Sequence, residues 1–248
     1  MKLFLSTFSR ATIATAYIGA LLALPFGRFA LPFSRFFFGD GSIWTVLGGV
    51  VLAALFAAAA SDWPALNQLG TSFNRWMNSG AVTALAASVV PALVTTASSV
   101  VNQYRSPYYK AYDLFLITNR ETVHHVDAVG DEYLVDFAGQ DARTIALTFL
   151  ATFLFFVLAC MTGIALGLAA AAHRVWVPIV GAVIASVGHA AAYKLVADAT
   201  YLRLEDGVRL PDPQSTAATP AAVATLVSGL IIAGFVWFVF ARTQRFVK

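Results

Sequence analysis

The chain has 248 residues, 59% of them hydrophobic and 12% charged, with a mean hydropathy of +0.74, a composition that excludes a soluble globule. Sixteen Lys and Arg against thirteen Asp and Glu leave a net charge of +3, too small and too scattered for a nucleic-acid surface. The single cysteine, Cys160, excludes an intrachain disulfide and a Cys-rich zinc site.

A helix needs about 20 apolar residues to cross a hydrocarbon core of roughly 30 Å. Stretches free of Asp, Glu, Lys and Arg therefore mark candidate crossings, and six qualify: residues 11–27, 41–61, 76–104, 144–173, 175–193 and 213–241. The expected fold is an all-α polytopic membrane protein, a six-transmembrane-helix bundle. Residues 1–101 would hold helices one to three, 102–143 an extramembrane insertion, and 144–248 helices four to six. The first span follows Lys2 and Arg10 like a signal peptide, but no small-x-small cleavage site comes after it, so it reads as a retained helix.

Residues 26–40 carry six phenylalanines with Arg28 and Arg35, which suits an interfacial segment with snorkelling arginines. Its functional reading is contact of Arg28 and Arg35 with anionic lipid headgroups. In the second span Gly49, Ala53 and Ala57 recur every four residues, as do Gly163, Gly167 and Ala171 in the fourth, and Gly181 and Ala185 in the fifth. Small faces let helix backbones approach closely, either inside the bundle or against a partner subunit. Pro91 should kink the third span. Thr95, Thr96, Ser98 and Ser99 follow it, placed to satisfy freed carbonyls or to line a polar path.

The insertion contains four Lys and Arg and seven Asp and Glu. Ser106 and Pro107 signal a helix start, and Tyr109, Tyr112 and Leu116 would share one face of a short helix at the membrane surface. Gly130 and Asp131 fit the centre of a two-residue type II′ turn. The implied hairpin runs from 123–129 to 132–137, with Val126 opposite Val135 and His125 opposite Asp136. His125, Asp127 and Asp136 are candidate metal ligands. The simpler reading is a cross-strand ion pair, because adjacent strand residues such as His124 and His125 point to opposite faces.

On or just beyond the fifth span, His189, Tyr193, Lys194 and Asp198 form a possible intramembrane polar site. Lys194 and Asp198 at i and i+4 fit a helix-end salt bridge, and His189 with Tyr193 fits a packed neutral histidine or a proton relay. With both termini inside, the inner segments hold seven Lys and Arg against the single Asp62, which favours that orientation together with the basic tail 242–248. The expected location is a cell (inner) membrane or its equivalent.

Residues 78–82, Asn-Ser-Gly-Ala-Val, are similar to the serine loop of rhomboid proteases. Asparagine stands where that family has its first glycine, however, and the upstream histidine and asparagine are absent. No nucleotide, metalloprotease or hydrolase motif is present. Six spans in about 250 residues with both termini inside resemble the permeases of ABC-2 type exporters in architecture. The acidic loop after the third span and the polar, Pro-rich loop after the fifth depart from that pattern. The sequence therefore points to a noncatalytic multi-pass subunit of a larger complex, a permease or an anchor, whose partners are the lipid bilayer and other membrane subunits. The alternative is a membrane enzyme using His125, Asp127, Asp136 and Glu205. No cofactor is indicated.

Overall fold

The computed structural model describes residues 3–5, 13–14, 17–19, 21, 42–105, 116, 125–130, 132–133, 141–172, 183, 187, 191, 201–203 and 209–211. Its elements are α1 (Ser42–Ser61), α2 (Trp63–Gln68), α3 (Phe73–Arg105), β1 (His125–Val126), β2 (Glu132–Tyr133), α4 (Ala142–Ala171), β3 (Tyr201–Arg203) and β4 (Arg209–Pro211). Three stretches, Trp44–Gln68, Phe73–Asn102 and Ala142–Ala171, are long and apolar enough to cross a membrane. The chain is thus an integral multi-pass membrane protein built on long apolar helices. These three are the expected second, third and fourth spans. Most of the first span, nearly all of the fifth and the whole of the sixth lie outside the described residues, as does the segment 26–40.

Local chemistry sets the helix ends. The Asp141 carboxylate accepts the backbone N–H of Arg143 at 3.1 Å and of Thr144 at 3.3 Å, and the Thr144 hydroxyl donates to it at 2.6 Å. This cap starts α4 two residues before the charge-free run begins. Ser72 accepts the N–H of Arg75 through its hydroxyl and that of Trp76 through its carbonyl, so α3 likewise starts outside the apolar run. At the end of α2, Gly70 is left-handed with φ +80°. The N–H of Gly70 bonds to Asn67 and that of Thr71 to Leu66, a Schellman ending that turns the chain back towards α3.

Both α1 and α3 pack along α4. Gly49 lies against Phe155 and Ala159, Ala53 against Gly163, and Ala57 against Gly167. Partner numbers rise together, so α1 and α4 are parallel. Against α3 they run oppositely: Gly80 neighbours Ile164, Ser88 neighbours Cys160 and Thr96 neighbours Thr152. The alternating directions of α1, α3 and α4 put residues 62–72 at one end of the bundle, with the end of α3 at Arg105 and the start of α4 at Ala142 at the other. The small-residue faces of the second and fourth spans are therefore spent on each other, inside the chain; Gly181 and Ala185 lie outside the described residues.

The N-terminal segment fills the remaining corner between α1 and α3. Phe4 is fully buried, and its N–H donates to Ser79 Oγ at 3.2 Å. Its ring lies 5.3 Å from both Phe56 and Trp76, and Trp63 and Phe73 extend the aromatic cluster. Farther along, residues 13–14, 17–19 and 21 are helical, and Leu5, Ile13 and Tyr17 line an apolar cleft with Leu52, Leu55, Phe56, Thr83 and Ala87.

The strand pairing corrects the expected register. His125 is opposite Tyr133 and Val126 opposite Glu132, whereas a turn centred on Gly130 and Asp131 would have paired His125 with Asp136. The actual turn is Asp127–Gly130, closed by the Gly130 N–H on the Asp127 carbonyl at 3.1 Å. The Asp127 carboxylate accepts the Val129 N–H at 2.8 Å, and Gly130 has φ +89°. Asp at the first and Gly at the fourth position of a β-turn, with the glycine left-handed, makes the longer connection to β2. The described strand residues are His125–Val126 and Glu132–Tyr133; residues 127–129 belong to the turn rather than to the expected strand 123–129, and 123–124 and 134–137 lie outside the described residues. Leu116 is non-helical and buried; the rest of the expected surface helix lies outside the described residues. The loop after the fifth span holds an unanticipated antiparallel pair, β3 with β4, in the register Leu202 opposite Leu210.

Candidate functional site: a hydroxyl seam between two transmembrane helices

Side chains four residues apart share one face of a helix. On α4 this places Thr144, Thr148, Thr152, Phe156, Cys160 and Ile164 in one row, and all six are buried. The facing side of α3 holds Ser88, Thr95, Thr96 and Ser99, also buried. A seam of neutral hydroxyls and one thiol thus runs the length of the contact.

Two bonds cross it. Thr96 and Thr152 share a hydroxyl–hydroxyl bond at 3.2 Å, and Ser88 Oγ lies 3.9 Å from Cys160 Sγ. Other bonds return to the backbone of the donor's own helix: Ser88 to Ala84 at 2.7 Å, Ser98 to Thr95 at 2.9 Å, and Thr152 to Thr148 and Phe149 at 2.9 and 3.0 Å. Back-bonding of this kind lets a hydroxyl sit in an apolar medium without an orphaned donor. The expected role of Thr95, Thr96, Ser98 and Ser99, satisfaction of the carbonyl freed by Pro91, falls to another residue. Proline 91 deprives the carbonyl four residues earlier, that of Ala87, and the Tyr17 hydroxyl donates to that oxygen at 2.6 Å.

The seam carries no Asp, Glu, Lys, Arg or His; all lie outside residues 76–104 and 144–171. It can donate and accept hydrogen bonds but holds no charge to bind an ion electrostatically. Among the described residues no three His, Cys, Asp or Glu side chains converge on a common point.

Of the metal, lipid and intramembrane candidates read from sequence, His125 and Asp127 fall among the described residues. His125 is in β1 and Asp127 opens the turn, its carboxylate engaged with Val129. Asp136, Glu205, His189, Tyr193, Lys194, Asp198, Arg28 and Arg35 lie outside the described residues. Ser79, the serine of the rhomboid-like stretch, accepts the Phe4 N–H. Sequence reading missed Thr148, Thr152, Ser88 and Tyr17. The first two were findable as a four-residue threonine period continuing from Thr144; Tyr17 has no local signal, because its partner is 70 residues away. No known protein family, characterised protein or solved structure matches this chain.

Proposed function

We propose that the chain is a noncatalytic multi-pass subunit of a hetero-oligomeric membrane assembly, with six spans and both termini on the inner side. The observation that carries the reading is the seam itself. The hydroxyls of Ser88, Thr96 and Thr152 reach across the two helices or back to their own backbone, which supports a chemistry at membrane depth of holding helices together rather than transforming a substrate. Of the two branches, anchor and permease, the anchor is favoured by the closed packing of α4 against α1 and α3. The small-residue faces of α1 and α4 are occupied by each other, so a partner chain uses a different surface. The valine- and leucine-rich exposed face of α3, including Val82, Leu85, Val89 and Leu93, is open to lipid or to such a partner.

The test is gentle solubilisation at native expression level, followed by sizing and identification of co-migrating chains. Stable co-migration with other membrane subunits is the expected result; a lone, active monomer overturns the proposal. Orientation is read separately with impermeant thiol reagents on intact cells. A cysteine at Asp131 should react and one at Gln244 should not, and the reverse pattern inverts the topology.

A further inference from the structure

We propose that Tyr17 and Pro91 form a latch, through which the alignment of the two halves of α3 depends on the docking of the N-terminal segment. A proline within a helix leaves one carbonyl without its intrahelical donor, and in a bilayer no water replaces it. Helices bend at such a break, and within a membrane a neighbouring group can supply the hydrogen bond that the missing N–H would have made. In α3 that group comes from outside the helix. Pro91 is buried within Phe73–Arg105, the orphaned acceptor is the Ala87 carbonyl, and the Tyr17 hydroxyl meets it at 2.6 Å. The helix stays continuous through Pro91.

The N-terminal residues meet α3 at a second point. Phe4, thirteen residues before Tyr17, is fully buried and bonded to Ser79 one helical stretch below. The N-terminal segment therefore touches α3 at Ser79 and at Ala87, both on the half that precedes the proline. Withdrawal of Tyr17 strips the Ala87 carbonyl of its donor and leaves the break at Pro91 uncompensated. The residue after Ala87 is Ser88, which neighbours Cys160 across the seam at 3.9 Å. Movement at the break thus opens the α3–α4 contact where the chain's single cysteine is buried.

That cysteine supplies the readout. The full-length chain in detergent or in proteoliposomes is exposed to a small membrane-permeant thiol reagent, and the labelling rate of Cys160 reports how often the seam opens. Tyr17→Phe removes only the hydroxyl and should raise the rate roughly three- to twentyfold, the span of interhelical hydrogen-bond strengths measured within membranes. Pro91→Ala restores the missing N–H within α3. In that background Tyr17→Phe should change the rate by less than about twofold, because the carbonyl no longer needs the tyrosine. Equal effects of Tyr17→Phe in both backgrounds would mean that the hydroxyl acts independently of the proline, and would overturn the latch; so would no effect on the chain that retains Pro91. If Tyr17→Phe alone abolishes folding, the Tyr17→Phe/Pro91→Ala chain must fold, and failure of that rescue overturns the proposal as well.

Discussion

Helix α4 meets its two neighbours by two different means. Towards α1 it presents Gly163 and Gly167, and the backbone of one helix rests on the backbone of the other. Towards α3 it presents threonines and a cysteine, and the contact is made by side chains that hydrogen-bond. Lipid gives no hydrophobic incentive for helices to associate, so contact must come from close packing or from polar bonds. The first seam uses geometry and the second uses chemistry. They should fail differently: where backbone rests on backbone, at Gly163 and Gly167, the glycine seam has no room for an added atom, whereas the hydroxyl seam loses only a small increment with each hydroxyl removed.

The largest effect should follow from Gly163→Ala or Gly167→Ala. A methyl at Gly163 would lie 2.9 Å from Ala53 Cα, and one at Gly167 would lie 2.7 Å from Ala60 Cβ, with the carbonyls of Ala53 and Ala57 closer still. Backbone cannot step aside as a side chain can, so each change should cost about 1–3 kcal/mol. Thermal unfolding of the purified chain in detergent checks this, and an unchanged midpoint would mean that the two helices do not meet at these glycines. Gly49→Ala sharpens the same point, for there the new methyl meets only the far edge of the Phe155 ring at 2.8 Å. The ring can swing away, and the loss should stay under about 1 kcal/mol.

On the other face, Thr96→Val and Thr152→Val should each lower stability by about 0.6 kcal/mol, with a double mutant costing less than the sum because one bond is shared. Strict additivity would show that the two hydroxyls are not bonded to each other. The smallest perturbation is an exposed cysteine placed beyond either end of the bundle, at Leu69 or Val129, both highly exposed. Neither should alter stability, yet impermeant reagents should reach them from opposite sides of the membrane. Labelling of both from one side would break the alternation of α1, α3 and α4 on which the comparison rests.

The long helices were legible because length without charge is a demanding requirement that few other structures meet. So were the small-residue stripes, although their spacing alone left open whether Gly163 faced Ala53 or a foreign chain; only the pairing of two stripes within one bundle resolves that. The turn at Gly130 was found, but its register was not. Glycine is compatible with the first central position of one turn and with the left-handed fourth position of another, and the choice between them is made by the Asp127 carboxylate bonding to Val129. The bond between Tyr17 and Ala87 was invisible for a different reason. Pro91 announces that a carbonyl is freed, but nothing near it in sequence names the donor.

Ala53 and Gly163 are 110 residues apart, and this separation bears on biosynthesis. Membrane helices enter the bilayer in the order in which they leave the ribosome, and at about 5–20 residues per second α1 waits on the order of ten seconds before its matching groove exists. During that interval α3 has arrived, while the Gly49–Ala53–Ala57 face is open to any other helix with a small-residue stripe. An assembly factor or a neighbouring subunit that shields this face for a few seconds would act before the fold is complete and leave no trace in the finished bundle.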